Sequence, residues 1–351
     1  MAVDEARLQA FVGKMIGDMG GAVSGALMLV GDRLGLYKAL EAGPLSSAEL
    51  AARTGTAERY VREWLAANAA AGYVGYDPES ERFSLSPEQA MVFADESSPV
   101  FMPGFAEAVA AMWRDEPKIT EAFRTGKGVG WHEHDPCLFH GTERFFRPGY
   151  AAHLVSHWLP ALDGVVEKLQ RGGRVADVGC GHGASTIIMA KAFPNSRFLG
   201  FDYHLPSIER ARLAAQEAGV GDRVEFAVAP AKAFPGDDYD LVTFFDCLHD
   251  FGDPVGAARH VREALAGNGT WLIVEPFAND RLKDNLNPVG RIFYGASTMI
   301  CTPASLSQEV GLGLGAQAGE ARLRAVVTEG GFTRFRRATE TPFNLVLEAR
   351  P

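Results

Sequence analysis

The second half of the chain alternates between two hydrophobic patterns, and this alternation constrains the fold more than any other feature. Short apolar runs begin at Arg174, and segments with helical spacing separate most of them. In chain order the runs read RVADVG, SRFLGFD, RVEFAVA, YDLVTFFD and TWLIVEP. Repeated strand-helix-strand units predict a mostly parallel sheet with helices on both faces, because parallel neighbours need long crossover connections.

The last part of the chain carries a different pattern. A predicted helix, GEARLRAVVTEGGF, is followed by TRFRRATET and FNLVLEAR, two strand-like segments joined around Thr341-Pro342. Strands with so short a connection are antiparallel. The sequence therefore predicts an α/β fold with a Rossmann-like, seven-stranded sheet that ends in an antiparallel hairpin. A dinucleotide-binding domain does not need that hairpin.

The first part of the chain is predicted to be helical. Apolar residues have helical spacing from residue 5 to residue 42, and a short helix headed by serine, a Thr-Gly-Thr turn and a helix starting near Ala57 follow. The segment GYVGYDPESERFSLSP then alternates around an Asp-Pro turn, as a β-hairpin does. Together these elements outline a winged helix-turn-helix domain.

The charge of the chain argues against nucleic acid as a partner. The formal net charge is -10, and the helix that would read DNA balances Glu58 and Glu63 against Arg59 and Arg62. We therefore expect neither nucleic acid nor a membrane surface as a partner. The winged-helix domain is instead predicted to form a homodimer and to act as a lid over a site for a small molecule.

The cysteines and the N-terminal segment indicate the compartment. Cys137, Cys180, Cys247 and Cys301 lie far apart without a Cys-x-x-Cys pair, which excludes a zinc ribbon and argues against a disulfide framework. The apolar run MGGAVSGALMLVG is too short to span a bilayer, and acidic rather than basic residues precede it. We expect a cytoplasmic protein.

The middle of the chain, residues 96 to 160, is predicted to hold helical stretches from Phe105 to Trp113 and from Tyr150 to Leu162. The segment between them, TGKGVGWHEHDPCLFHGTERFFRPG, is rich in glycine and aromatic residues, which predicts an ordered loop lying over the active site. It also offers four potential metal ligands in a row, at 132 to 135. No further ligands follow at a recognised spacing, so we expect a polar surface loop and no metal.

The segment VADVGCGHGAST combines a glycine loop with an acidic residue. Gly179-x-Gly181-x-x-Ala184 fits the pattern of loops that present backbone N–H groups to an anion. A pyrophosphate needs only such donors, whereas a zwitterionic methionine group also needs an acceptor for its ammonium, and Asp177 is placed to help supply it. Asp202 ends the second strand, where a carboxylate can accept both hydroxyls of a ribose.

The glycine loop, Asp202 and the terminal hairpin together resemble the class I S-adenosylmethionine-dependent methyltransferases, over about residues 160 to 351. With the winged-helix segment included, nearly the whole chain is similar to the small-molecule O-methyltransferases and their bacterial relatives. The resemblance implies the following organisation: a dimerisation and lid domain at 1–95, a helical connector at 96–160, and a cofactor-binding domain at 161–351, with an insertion at 277–317 near the acceptor pocket.

The same resemblance implies S-adenosylmethionine as cofactor and S-adenosylhomocysteine as product. The residues expected to line the cofactor are Asp177, Gly179, Cys180, Gly181, Asp202, Tyr203, Ala231, Phe245 and Asp246. One position departs from the family pattern, because Gly-Asp-Ala is common after the third strand and this chain has Ala229-Pro230-Ala231. Adenine is therefore expected to be held by backbone groups near Ala231 and by apolar packing.

The segment FFDCLHDFGDP, which follows the fourth strand, resembles the His-Asp-Trp motif of plant-type O-methyltransferases, with Phe251 in place of tryptophan. The resemblance places a general base at His249, with Asp250 beside it and Glu275, at the end of the fifth strand, orienting it. The chemistry fits, because a sulfonium methyl is already activated and the acceptor hydroxyl only has to be aligned and deprotonated.

Several alternatives remain open from the residues alone. His249 could merely hydrogen-bond a loop, with N- or C-methylation driven by proximity, and Asp246, Asp250 and Asp253 could hold Mg²⁺, although Asp253 more simply caps a helix. A nicotinamide-dependent oxidoreductase and a transcriptional regulator that senses a cofactor are the competing functions. We expect no metal and an enzyme.

The acceptor is expected to be small and aromatic or polyketide-like. Its pocket is predicted to lie under the insertion and the connector. The candidates for lining it are Phe145, Phe146, Tyr150, Phe293, Tyr294, Met299 and Gln317. The alternative for each of these residues is a place in the core between domains.

Overall fold

The computed structural model describes residues 3–351 and divides into two compact units. The first unit runs to Ala111 and also takes up His140–Gly149, and the second consists of Met112–Phe139 and Tyr150–Pro351. Among the described residues, no helix is both long enough and apolar enough to cross a membrane.

The first unit contains the predicted winged helix-turn-helix. Its elements are α1 (Glu5–Arg33), α2 (Leu36–Glu41), α3 (Ser47–Thr54), α4 (Glu58–Ala70), β1 (Gly75–Asp77), β2 (Arg82–Ser84), α5 (Pro87–Phe93) and the start of α6 (Pro103–Thr125). Ser46 and Glu49 form a capping box at the start of α3, which fixes the turn into the short helix. A buried aromatic pair, Tyr37 and Trp64, joins α2 to α4, and the Tyr37 hydroxyl donates to Asn68 at 2.7 Å.

The helix α7 (Cys137–His153) corrects the expected loop, which was predicted to extend to Gly149. Gly141 lies inside α7, and a Cβ there would come within 2.6 Å of the Ala108 backbone nitrogen in α6. The glycine therefore serves close packing of two helices and not a turn. Of the predicted loop, only residues 126–136 lie outside α-helices. They include a 3₁₀ turn at Trp131–Glu133, here called the Trp131 turn.

The second unit is built on the seven-stranded sheet that the sequence predicts. The strands are β3 (Arg174–Val178), β4 (Arg197–Asp202), β5 (Val224–Val228), β6 (Tyr239–Phe245), β7 (Leu265–Pro276), β8 (Arg334–Glu340) and β9 (Asn344–Arg350), in the order β5-β4-β3-β6-β7-β9-β8. The first five strands of that order are parallel, and β9 runs antiparallel to both of its neighbours. The predicted fold class is confirmed.

Helices cover the sheet between the strands. They are α8 (Val165–Arg171), α9 (Ala184–Ala192), α10 (Leu205–Glu217), α11 (Pro254–Ala264) and α14 (Gly319–Glu329). The predicted insertion after β7 folds into α12 (Pro288–Ala296), a π-helical turn at Ser297–Cys301 and α13 (Thr302–Leu306). Central strands are buried on both faces, as apolar runs in a parallel sheet require.

The strand order reverses at β3, because β4 follows it on one side and β6 on the other. Ligands of such sheets bind beyond the carboxyl ends of the strands at this point. Carboxylates lie at or beside four of those ends: Asp177, Asp202, Asp246 and Glu275. The topology thus gathers the acidic residues that the sequence singled out.

Candidate active site

The loop between β3 and α9 is shaped by three glycines in left-handed conformation. The φ angles of Gly179, Gly181 and Gly183 are +74°, +50° and +82°. A side chain on Gly183 would also place its Cβ 2.6 Å from the ring of Phe226. Other residues adopt such angles only at a cost, so the loop needs glycine to pass close over the sheet edge.

Asp177 holds this loop from beneath. Its Oδ2 accepts hydrogen bonds from Ser185 Oγ at 2.7 Å and Thr186 Oγ1 at 2.5 Å, and its Oδ1 accepts one from Thr243 Oγ1 at 3.0 Å. Burial raises the pKa of Asp177, while these hydroxyls oppose the rise. Each carboxylate oxygen therefore already has a partner inside the protein, and its contact with a ligand stays a prediction.

Asp202 connects the loop to the next strand. Its Oδ2 accepts from the backbone N–H of Gly181 at 3.0 Å, and its Oδ1 accepts from that of His204 at 2.9 Å. Burial raises the pKa of Asp202, and the two backbone donors lower it. Cys180 is buried beside it, and burial raises the pKa of its thiol well above the usual value. Asp202 thus stands at the strand end where a ribose is expected.

The Trp131 turn packs on the residues that follow β4. The Tyr203 hydroxyl accepts from the backbone N–H of His132 at 3.3 Å, and the rings of these two residues meet edge to face. The ring of His204 stacks on Phe139 with centroids 4.4 Å apart. A loop was expected over the active site, and these contacts show what holds this part of it.

The expected adenine position has no carboxylate side chain. Ala231 is partly buried against the core, and the Ala229 N–H donates to the Asp202 carbonyl at 3.0 Å. The nearby Lys232 is paired with Asp253 at 3.2 Å and with Glu309 at 3.0 Å. Backbone groups and apolar contacts are thus what this segment offers to a purine.

His249 lies in a 3₁₀ turn after β6 and is 3% exposed. Its Nδ1 contacts Glu275 Oε2, and Glu275 Oε1 accepts from the Leu248 N–H at 3.0 Å. Its Nε2 lies 3.2 Å from Asp250 Oδ1. Burial alone would lower the pKa of His249, but the charges of Glu275 and Asp250 raise it well above its usual range. The ring is therefore held between two carboxylates.

Asp250 is fixed from its other side by Trp131, which the sequence analysis did not select. The Trp131 indole N–H donates to Asp250 Oδ2 at 2.7 Å, while Asp250 Oδ1 accepts no hydrogen bond from the described residues. The contact joins positions 119 residues apart, so no local pattern could have revealed it. Only the aromatic character of the predicted loop hinted at a packing role.

Asp246 takes a left-handed backbone conformation, with φ of +50°, at the end of β6. Its Oδ2 accepts from the Tyr150 hydroxyl at 2.8 Å, and its Oδ1 lies 3.4 Å from Asn344 Nδ2. Burial first, and then the charge of Glu275, raise the pKa of Asp246 to about 7. Tyr150 also packs on Phe245, with ring centroids 5.3 Å apart. Asn344 is another neighbour that sequence reasoning missed.

A cavity of about 330 Å³ lies beside the insertion and is lined by Phe277, Asn285, Gln317 and Pro342, among others. The Gln317 amide nitrogen donates to the Phe277 carbonyl at 3.1 Å, while its buried Oε1 has no hydrogen-bond partner among residues 3–351. The structure therefore brings one predicted acceptor residue, Gln317, to a cavity.

The other predicted acceptor residues are distributed differently. Phe293 is buried in α12, Tyr294 lies 3.5 Å from Asn285 Nδ2, and Met299 is partly buried in the π-helical turn. Phe145 and Phe146 belong to the first unit, where Phe145 packs on Phe105. None of these five lines the cavity beside the insertion.

Two family models match separate parts of the chain. One, described as "Methyltransferase domain", matches residues 169–311, and the other, described as "Rv2258c-like winged HTH domain", matches residues 22–94. The chain therefore contains a methyltransferase domain that follows a winged helix-turn-helix domain. The predicted resemblance to methyltransferases with an N-terminal winged-helix domain is thereby confirmed.

One curated relative matches part of the chain. Over 134 residues the chain is 33% identical to "Ubiquinone biosynthesis O-methyltransferase" of Bordetella avium (strain 197N), a match that covers 37% of this chain and 52% of the relative. The chain thus spans about half the length of that curated relative.

Two solved structures share the fold over nearly their whole length. They are "Structure of the Mitomycin 7-O-methyltransferase MmcR", with a TM-score of 0.71, 22% identity and coverage of 99% of this chain and 100% of that one, and human N-acetylserotonin methyltransferase in complex with SAM, with a TM-score of 0.69, 16% identity and coverage of 99% and 98%.

Proposed function

We propose that this methyltransferase transfers the methyl group of S-adenosylmethionine to a hydroxyl of a small acceptor and releases S-adenosylhomocysteine. The observation that carries the proposal is the buried pair of His249 and Glu275 at the sheet edge that also holds the glycine loop. An oriented imidazole beside a cofactor loop is the equipment that deprotonation of a hydroxyl needs. The O-methyltransferase names of the Bordetella avium relative and of the mitomycin enzyme MmcR support the same reaction.

The residues at the switch point of the sheet fit the cofactor. Gly179 and Gly181 leave the loop without side chains, and an added Cβ at Gly181 would meet nothing within 4 Å. Asp202 stands where ribose hydroxyls can be accepted, and Tyr203 and Phe245 offer apolar surface nearby. When bound, S-adenosylmethionine supplies a methyl group activated by the adjacent sulfonium. The carboxylates at the strand ends favour a ligand that carries positive charge.

His249 acts on the acceptor in this proposal. Glu275 holds Nδ1, so Nε2 is the atom that takes the proton from the acceptor hydroxyl. In the described geometry Nε2 faces Asp250 Oδ1 at 3.2 Å, and the hydroxyl must replace that contact as it arrives. Because the two carboxylates raise the pKa of His249, the neutral ring that can accept a proton becomes more abundant as the pH rises.

The acceptor is small and aromatic or polyketide-like in this proposal. Gln317 and Phe277 both line the cavity beside the insertion, and the buried Oε1 of Gln317 accepts no hydrogen bond from the residues that the structure describes. A buried acceptor oxygen without a partner favours a ligand that carries an N–H or O–H donor. Four other residues of the second unit, Tyr150, Phe293, Tyr294 and Met299, lie outside that cavity and stay candidates for contact with another part of the acceptor.

The N-terminal domain is proposed to dimerise the chain in the cytoplasm, without nucleic acid as a partner. Helix α1 exposes apolar side chains along its length, among them Phe11, Ile16, Met19 and Val23. Exposed apolar surface of this extent is typical of an interface. Size-exclusion chromatography with light scattering tests this part, and a monomer at micromolar concentration would contradict it.

Methyl transfer is tested by incubating the full chain with S-adenosylmethionine and a panel of phenols, catechols and hydroxyquinones. The expected result is a product heavier by one methyl group, together with S-adenosylhomocysteine. His249→Gln should lose most of the turnover. The matched control is His260→Gln, because His260 lies on α11 and its ring nitrogen bonds to the carbonyl of Phe234. Equal turnover in both variants would favour transfer by proximity and would refute the role of His249.

A further inference from the structure

Three side chains with different ligand atoms converge at the 3₁₀ turn Leu248–Asp250. The ring nitrogen of His249, one carboxylate oxygen of Asp250 and the sulfur of Cys301 all lie within 4.8 Å of one another. The residues are 3%, 5% and 7% exposed. Cys301 comes from the π-helical turn of the insertion, so two distant parts of the chain meet at this cluster.

The spacing of the cluster suits a tetrahedral ion. Zinc binds nitrogen and oxygen ligands at about 2.0–2.1 Å, which places two such atoms about 3.3–3.4 Å apart in a tetrahedron. The observed distance from His249 Nε2 to Asp250 Oδ1 is 3.2 Å. Two of the three ligand atoms therefore already have the separation that a shared ion requires.

The surrounding contacts also match those of metal sites. Glu275 holds His249 Nδ1, and the Trp131 indole N–H holds Asp250 Oδ2 at 2.7 Å. These contacts leave His249 Nε2 and Asp250 Oδ1 available to an ion, and the buried Asp250 Oδ1 accepts no hydrogen bond within the described part of the chain. In metal sites, outer carboxylates and donors orient the ligands in the same way.

We propose that His249, Asp250 and Cys301 form a three-ligand site for Zn²⁺ with an open fourth position. A thiolate with an imidazole and one carboxylate favours zinc or cobalt over magnesium and calcium, which prefer oxygen ligands alone. Binding releases the proton of the Cys301 thiol to solvent and leaves the oxidation state of every group unchanged. This proposal departs from the sequence-based expectation of no metal, because Cys301 lies too far along the chain for spacing to reveal the cluster.

Zinc in this site would inhibit methyl transfer. The ion takes the lone pair of His249 Nε2, which then cannot receive a proton from an acceptor. This consequence rests on the proposed function, whereas the binding itself does not.

The binding is measured by calorimetry on the full chain, stripped with a chelator and kept reduced with a phosphine. Zinc chloride is titrated into the wild type, Cys301→Ala, Cys301→Ser and the control Cys137→Ala, whose cysteine is half-buried at the start of α7. We expect one zinc per chain in the wild type and the control, and at least about tenfold weaker binding in both Cys301 variants. Circular dichroism confirms that each variant is folded.

Cobalt provides a second readout that does not depend on activity. Co²⁺ in the wild type should show tetrahedral absorption and a sulfur-to-cobalt charge-transfer band, and Cys301→Ser should lose that band. Equal zinc affinity in Cys301→Ala, no binding by the wild type, or a cobalt spectrum without sulfur ligation would each overturn the site. Where turnover is found, zinc should inhibit the control more strongly than Cys301→Ala. Absence of turnover would count against the proposed function alone.

Discussion

The hydrogen bond from Trp131 to Asp250 is expected to stabilise the 3₁₀ turn Leu248–Asp250 measurably. It is 2.7 Å long, and its acceptor is a carboxylate that is 5% exposed. A hydrogen bond to a charged group contributes about 1.5–3 kcal/mol, and the substitution removes the donor to Asp250 Oδ2. Trp131→Phe should therefore lower the free energy of unfolding by at least about 2 kcal/mol, since packing of the larger ring is lost as well.

A double-mutant cycle separates the hydrogen bond from the packing. Urea unfolding at neutral pH is measured for the wild type, Trp131→Phe, Asp250→Ala and the double variant, and the expected coupling energy is about 1.5–3 kcal/mol. Trp113→Phe serves as the matched control, because that ring is 66% exposed and its loss should change stability by less than about 0.5 kcal/mol. A coupling energy below about 0.5 kcal/mol would refute the reasoning.

Three further substitutions test other parts of the account. His249→Gln should lower kcat by about 10²–10⁴-fold. The kcat of the wild type should rise with pH, because the raised pKa of His249 shifts the loss of its proton to higher pH; a pH-independent wild type would contradict this. Gly183→Ala should lower the free energy of unfolding in urea by about 2 kcal/mol or more, because Gly183 has a φ of +82° and an added Cβ would meet Phe226. Gly219→Ala, at a φ of +69° in open space, should lower it by less. Equal losses in the two variants would contradict the role of the Phe226 contact. The pKa of Asp246 in the folded protein is about 7, above its ordinary value of 3.8, so the wild type loses stability as the pH rises from 3.8 to about 7. The free energy of unfolding of Asp246→Asn should therefore increase by up to about 4 kcal/mol relative to that of the wild type between pH 4 and pH 8, measured by urea unfolding. A difference that stays constant with pH would exclude this.

The sheet could be predicted because its signals are local. Buried parallel strands have to be continuous apolar runs, and the two segments around Thr341-Pro342 have too short a connection for parallel pairing. The approach of His249 to Glu275 was also predictable, since each follows or ends one of two strands whose carboxyl ends meet at the same edge. In these cases topology converts positions in the sequence into proximity.

Contacts that depend on packing could not be predicted in the same way. Gly141 and Pro148 look like helix breakers, yet α7 runs through both. Gly141 allows the close approach of α7 to α6. Trp131 and Cys301 approach the 3₁₀ turn Leu248–Asp250 from distant segments of the chain, and such contacts leave no periodic signal in the sequence. The hydrogen bonds of Asp177 are a third case, because the hydroxyls that donate to its carboxylate belong to neighbouring elements of the fold.

The most direct test of the central claim is calorimetry of the purified chain with S-adenosylhomocysteine and, separately, with NADH. We expect saturable binding of S-adenosylhomocysteine alone, at least about tenfold weaker in Asp202→Ala, since a hydrogen bond from a ribose to a carboxylate contributes about 1.5–3 kcal/mol. Asp222→Ala, which removes an exposed carboxylate beside Arg223, should bind like the wild type. Binding of NADH, or equal affinity for S-adenosylhomocysteine in Asp202→Ala and Asp222→Ala, would contradict the account.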